Sequence, residues 1–278
     1  MTSPGSSRLV GLFNSTSADF DAISPQVWGP AGVGLVEALD LSAGERVIDV
    51  CAGTGASALP AAAAVGPTGR VSAIDFAEDL LAIAQQKAVA AGLDNLDTVV
   101  ADVTALRVGE PPCEQPVDAV ACSYGIFFLP DMPGATRGLM DLIRPGGKIG
   151  VTVWRAGALQ DFSRAYFDAV AEVASETNHQ GPRSSANPAI STVDSEEKLA
   201  AFFTELGAAS VVTSTLRNRV DTTPEFAWAM VLGSGMRGAL TELNDAQRQQ
   251  IRAGLIARLD NAGLTEIDCN TVVGVATV

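Results

Sequence analysis

The chain has 278 residues, 47% of them hydrophobic, enough for one large domain, or one domain with a lid, around a sizeable core. Its formal charge is −14, from 18 basic against 32 acidic residues with no basic run, which argues against nucleic-acid and anionic-membrane partners, because neutralising phosphates takes clustered Lys and Arg. No apolar run is long enough to span a membrane, Met1 to Ser7 has no basic and apolar signal pattern, and Cys51, Cys113, Cys122 and Cys269 form no Cys-x-x-Cys pair with a nearby His, so a cytoplasmic protein with reduced thiols and no metal is expected.

Residues 1–40 carry Phe13, Phe20, Ile23, Trp28, Val33, Val36 and Leu39 and read as two short helices, an N-terminal cap. The most informative stretch follows. Val47, Ile48 and Val50 form an apolar strand with Asp49 near its C-terminal end, then Cys51, Ala52, Gly53, Thr54 and Gly55 make a tight turn into the Ala-rich helix 56–65. A strand, a Gly-rich turn and a helix set bare backbone and a helix N-terminus beside a nucleotide-like ligand. Gly53 to Ala58 also fits the dinucleotide fingerprint, a weak signal alone.

A second strand, 70–74, ends in Asp75, 22 residues after Gly53 and near the spacing expected of a ribose-binding acid. A helix spans 78–92. A third strand, 98–101, ends in Asp102; a fourth, 117–122, opens into Ser123, Tyr124 and Gly125; after a helix at 132–143, a fifth, 148–154, follows Arg144-Pro145-Gly146-Gly147. Alternating strands and helices imply a parallel sheet covered on both faces. Beyond Trp154 the pattern loosens: a helix at 162–175, a polar loop at 176–192, a helix capped by Asp194 or Ser195 and stopped by Gly207, a sixth strand at 209–220, helices within 224–260, and a last strand at 270–278.

Between about residues 45 and 155, these motifs in this order resemble the class I S-adenosylmethionine (SAM)-dependent methyltransferases, nearest to the small-molecule enzymes of ubiquinone and menaquinone biosynthesis. One departure is Cys51, where that family often has a further Gly. The resemblance implies an α/β, Rossmann-like, doubly wound sheet of seven strands in the order 3-2-1-4-5-7-6, the last antiparallel. It also implies a cap at 1–40 folding over the cofactor, and a SAM-binding domain at 41–278 with helical lid insertions near 155–192 and 224–260.

The resemblance further implies a cofactor site. Asp49 would serve the methionine end of SAM, the backbone of Cys51, Ala52, Gly53, Thr54 and Gly55 its path, and Asp75 the ribose diol. Phe76 would cover one adenine face, Asp102 and Val103 would address the adenine edge, and Ser123 and Tyr124 would sit beside the sulfonium. Phe20, Trp28, Phe127, Phe128, Trp154, Tyr166 and Trp228 are candidate acceptor walls. For a protonated acceptor, His179, the only histidine, and Tyr124 are the candidate bases, with Tyr166, Asp161 and Asp194 as rivals; the polar surroundings of His179 equally fit a solvated loop residue.

The expected function is O-methylation of a mid-sized apolar or aromatic metabolite. N- or C-methylation, a nicotinamide-dependent oxidoreductase and a non-catalytic SAM-binding protein are the alternatives. No Tyr-x-x-x-Lys pair supports the oxidoreductase: Phe128 follows Tyr124 at that spacing, and Val170 follows Tyr166. A small-molecule substrate is the expected partner, and a homodimer through the cap the assembly considered.

Overall fold

Alternate residues of the central strands fill two separate cores. Val47, Val71, Ala73, Ala119 and Ala121 belong to one; Ile48, Val50, Ile74, Val120 and Cys122 belong to the other. Successive side chains of a strand point to opposite faces, so a sheet buried on both sides must be apolar at nearly every position. The computed structural model, which describes residues 4–177 and 187–278, shows this sheet with helices on both faces.

The chain begins with three helices, α1 (Pro4–Ser15), α2 (Ser17–Ala22) and α3 (Trp28–Leu39), where two were expected. Helices α1 and α2 pack against the helix Glu78–Ala90, and Trp28 at the start of α3 joins them at the ligand end. The third packs Leu35, Val36 and Leu39 onto the sheet, where Gly150 leaves room for Leu35 and Leu39. The segment 1–40 is thus divided between a cover and a sheet-facing helix.

Then come β1 (Arg46–Val50), α4 (Ala58–Val65), β2 (Arg70–Asp75), α5 (Glu78–Ala90), β3 (Leu96–Val100), β4 (Val117–Ser123), α6 (Met132–Met140) and β5 (Ile143–Trp154). The fifth strand starts earlier than expected. Val117 pairs with Ile143, then the register jumps so that Ala119 pairs with Lys148. The Arg-Pro-Gly-Gly turn is the bulge that absorbs the extra residues, with Gly146 at φ +79.

After β5 the chain forms α7 (Gln160–Thr177), α8 (Glu196–Glu205), β6 (Ser210–Leu216), β7 (Arg219–Asp221), α9 (Pro224–Leu232), α10 (Asp245–Asn261), β8 (Glu266–Asp268) and β9 (Thr271–Thr277). Ser195, not Asp194, caps α8, accepting from the Lys198 N–H. The strand expected over 209–220 is broken at Asn218, whose N–H donates to Asn270 Oδ1 and whose carbonyl accepts from the Cys269 N–H. The three residues after the break pair instead with β8 in a separate ribbon.

The main sheet has the order β3-β2-β1-β4-β5-β9-β6, with β9 antiparallel to both neighbours. Allowing for the two ribbon strands, this is the expected order. Among the described residues no helix is long and apolar enough to cross a membrane. Helices α7 and α10 pack together: Gly254 admits Ala169, and Arg258 Nη2 lies 2.6 Å from Glu172 Oε2. Tyr166 of α7 donates to the Met236 carbonyl at 3.1 Å, tying that layer to the turn after α9.

Candidate functional site

At the C-terminal end of β1 the chain reverses through three left-handed residues, Cys51 (φ +55), Gly53 (φ +53) and Gly55 (φ +87). The glycines take this conformation without a Cβ penalty. The turn is anchored by Ala52 N–H to Ile74 O at 3.1 Å and by Gly55 N–H to Ala52 O at 2.9 Å. A Cβ on Gly53 would meet the Phe20 ring at 3.3 Å, so the turn and the aromatic cover close on each other.

Asp75 joins the turn to β2. Its Oδ2 accepts from Gly53 N–H and its Oδ1 from Ala77 N–H, each at 2.9 Å. Burial pushes this carboxyl above the usual range, and these two N–H groups oppose the rise. One bond to each oxygen leaves each with accepting capacity, as a cis-diol requires. Asp49 is fully buried beneath the turn. Both its oxygens receive the Ser57 hydroxyl, at 2.8 and 3.0 Å, and burial pushes its carboxyl up to about 7.

A cavity of about 600 Å³ runs from this turn to the mouth formed by the helical layer. One end is lined by Cys51, Ala52, Gly53, Asp75, Phe76 and Leu80. The other is walled by aromatic rings. Trp28 stacks on Phe20 at 5.0 Å, and Trp154 lies 4.3 Å from Tyr124 and 5.8 Å from Trp28. Phe127 and Phe128 also line it, with Phe13 of α1 edge-on to Phe128 at 5.9 Å and 6.1 Å from Phe76. The volume is that of a small-molecule site.

Of the expected cofactor residues, Cys51, Ala52, Gly53, Asp75, Phe76, Ser123 and Tyr124 line this cavity; Asp49, Thr54 and Gly55 lie behind the wall. Asp102 and Val103 do not line it. Asp102 is exposed and caps its own short turn, accepting from Thr104 N–H at 2.9 Å and Thr104 Oγ1 at 2.7 Å, while Val103 is buried in the core. Of the expected acceptor walls, Tyr166 and Trp228 lie off the cavity, Tyr166 because its fully buried phenol is held by Met236.

The candidate bases fare unevenly. His179 lies outside the described residues. Tyr124 reaches the cavity in a left-handed conformation (φ +54), but its hydroxyl is bonded to Thr271 Oγ1 and burial raises its phenol well above the ordinary value. Tyr166 is raised by burial too, and Asp161 is exposed and paired with Arg164 at 3.6 Å.

Several wall residues were not expected from the sequence: Leu12 and Phe13, Ser57, the loop 155–159, Asn187, and Ser234 to Met236; Asp194 was expected as a rival base. Phe13 was visible as an apolar position, but nothing local tells whether such a ring packs in the core or over a ligand. Leu12 shares α1 with Phe13, Ser57 starts α4, and the segments at 155–159, 187 and 234–236 are loops or short turns that reach the cavity through contacts distant in sequence.

The residues present fit SAM. A buried carboxylate with capacity for a diol, a turn open at Gly53 and an aromatic ring at Phe76 stand together at one end of a cavity large enough for cofactor and acceptor.

Comparison with known proteins agrees with this geometry. The ubiE/COQ5 methyltransferase family model matches residues 6–176. The chain is 37% identical over 152 residues to an aklanonic acid methyltransferase of Streptomyces sp. strain C5, covering 54% of this chain and 67% of that one. It is 30% identical over 183 residues to a nocamycin O-methyltransferase of Saccharothrix syringae, covering 62% and 60%. The matches span about half the length of several other curated relatives. Among solved structures, the YcgJ protein of Bacillus subtilis superposes with a TM-score of 0.56 at 15% identity, covering 88% of this chain and 97% of that one, a likeness of fold.

Proposed function

The chain belongs to the ubiE/COQ5 methyltransferase family, and from that premise we propose that it methylates an oxygen atom of a mid-sized apolar or aromatic metabolite, with SAM as the methyl donor. The observation that carries the reading is the single cavity with a carboxylate-bearing turn at one end and an aromatic box at the other. The relatives named for aklanonic acid and nocamycin support the acceptor class, and the second of them supports oxygen as the acceptor atom.

When bound, SAM supplies a methyl carbon on a cationic sulfur. The protein's part is alignment and exclusion of water. Asp75 would hold the ribose hydroxyls, Phe76 would cover the adenine, and the Cys51–Gly55 turn, braced from below by Asp49 and Ser57, would offer bare backbone to the methionine end. Ser123 and Tyr124, at the end of β4, flank the reacting centre; Ser123 Oγ is fixed by Thr152 Oγ1 at 2.9 Å. Tyr124 acts as a wall, since its hydroxyl is already committed to Thr271.

Trp28, Trp154, Phe20 and Phe127 would hold the acceptor for in-line transfer. Such alignment is worth up to ~7–11 kcal/mol. A methyl transfer that neutralises the positive sulfur also gains from a water-poor surround. Helices α1 and α2 form the cap over the cofactor, and α7, α9 and α10 form the lid. Asp21 of α2 pairs with Lys87 of α5, and Asp19 of α2 with Arg237 of the turn after α9, so the cap is pinned to both the domain and the lid.

The test is calorimetric titration with S-adenosylhomocysteine, followed by transfer of a labelled methyl group to a panel of hydroxylated aromatic acceptors. Micromolar product binding and labelled O-methyl ether or ester are the expected results. Binding of NADH in place of S-adenosylhomocysteine, or label appearing only on nitrogen or carbon, would overturn the proposal.

A further inference from the structure

We propose that Asp194 is the catalytic base, taking the proton of the acceptor hydroxyl as its oxygen is methylated. The inference rests on the O-methylation reading above and names the proton acceptor that reading leaves open.

Among the described residues, the titratable side chains on the cavity wall are Cys51, Asp75, Tyr124, Arg155 and Asp194. Asp75 is engaged by the turn at the cofactor end. The Cys51 thiol is pushed up by its hydrogen bond with Cys122 and by burial, which leaves it protonated. Tyr124 is tied to Thr271, and a guanidinium does not accept a proton. Asp194 is the other carboxylate on that wall, beside Ile190 and Ser191 and away from the glycine turn in sequence.

Its geometry suits the task. The side chain is only 15% exposed. Oδ1 accepts from Lys198 Nζ at 2.7 Å, and Lys198 is itself fixed by the Ser191 carbonyl at 2.7 Å. Oδ2 has no partner among the described residues. The backbone places the residue as well: the Asp194 carbonyl accepts from Ala156 N–H at 2.8 Å, two residues beyond Trp154 of the aromatic box. One oxygen is therefore anchored while the other is left to accept.

The step balances. The O–H proton passes to Asp194 Oδ2 while the oxygen pair forms the new bond to the methyl carbon. The carbon–sulfur pair returns to sulfur, giving a neutral thioether, and Asp194 releases its proton to solvent after the product leaves.

Asp194→Asn and Asp194→Glu are compared with wild type for S-adenosylhomocysteine binding and for turnover of hydroxylated acceptors. Asp194→Ala is assayed with and without added formate. Loss of a general base lowers kcat by about 10²–10⁴-fold. We expect that loss in Asp194→Asn with product binding unchanged, a smaller loss for acceptors already ionised at the assay pH, and partial rescue of Asp194→Ala by formate, which a merely structural acid would not show. Asp194→Glu keeps a carboxylate for Lys198, so it reports even if the amide variant fails to fold: a displaced base loses tenfold or more.

Turnover of Asp194→Asn or Asp194→Glu near the wild-type rate would overturn the assignment and leave O-methylation standing. Wild-type transfer to nitrogen or carbon alone, or to none of the acceptors, would overturn the O-methylation reading and this inference with it.

Discussion

The Ser57 hydroxyl sits 2.8 and 3.0 Å from the two oxygens of Asp49, joining the end of β1 to the start of α4 across the glycine turn. Among the described residues Ser57 is the only side-chain partner of this completely buried carboxyl, with the Ala58 N–H beside it. Ser57→Ala should therefore raise the Asp49 pKa further and cost ~1–3 kcal/mol, the penalty of an unsatisfied buried acceptor. Chemical denaturation would show the loss, and weaker S-adenosylhomocysteine binding would accompany it because the turn loses its brace.

Asp49 also links stability to pH. Its folded pKa is raised to about 7, above the ~3.9 of an unfolded Asp. Between these values the native chain holds a proton that the unfolded chain has released. The stabilisation is thus fully present below about pH 4 and is lost as pH rises through about 7. Asp49→Asn has no such proton, so its Tm should gain on that of wild type from pH 5 to 8. A constant difference between the two Tm curves would show that Asp49 titrates normally.

Asp75 serves both turn and ligand. Asp75→Asn replaces one accepting oxygen by a donor beside Gly53 N–H or Ala77 N–H. Hydrogen bonds to charged groups are worth ~1.5–3 kcal/mol, so S-adenosylhomocysteine affinity should fall by about 10–100-fold. Calorimetry on folded variant, checked by circular dichroism, measures this directly.

Tyr124→Phe separates wall from base. The hydroxyl is bonded to Thr271 and burial raises the phenol. Turnover should stay within about tenfold of wild type, well short of the ~10²–10⁴ lost with a general base. Steady-state kinetics on one acceptor decides it.

Gly125 is squeezed between two thiols. A Cβ there would lie 2.5 Å from Cys51 Cβ and 2.7 Å from Cys122 Sγ. Gly125→Ala should destabilise by ~1–3 kcal/mol through overpacking. Cys51→Gly, at a residue with φ +55, removes one obstacle and eases the turn, so the double variant should recover part of the loss in thermal unfolding.

Much of the fold was legible because its signals are local. Strand, turn and helix at 47–65 follow from apolar residues, glycines and alanines in sequence, and Asp75 is marked by its spacing from Gly53. The sheet order and its antiparallel last strand came from the family resemblance those motifs carry, and the structure agrees with it. The break at Asn218 was not legible, because it depends on Asn270 and Cys269, some fifty residues away.

The sequence by itself determined the class of fold, the cofactor and the strand ends where the acids stand, since backbone propensity and short-range spacing are written in neighbouring residues. Tertiary structure alone decided how each side chain is used. It locked Tyr124 onto Thr271, buried Tyr166 against Met236, and brought Phe13 and Asp194 to one cavity from distant parts of the chain. Those outcomes depend on which polar groups meet once water is excluded, and that is set by packing between segments far apart in sequence.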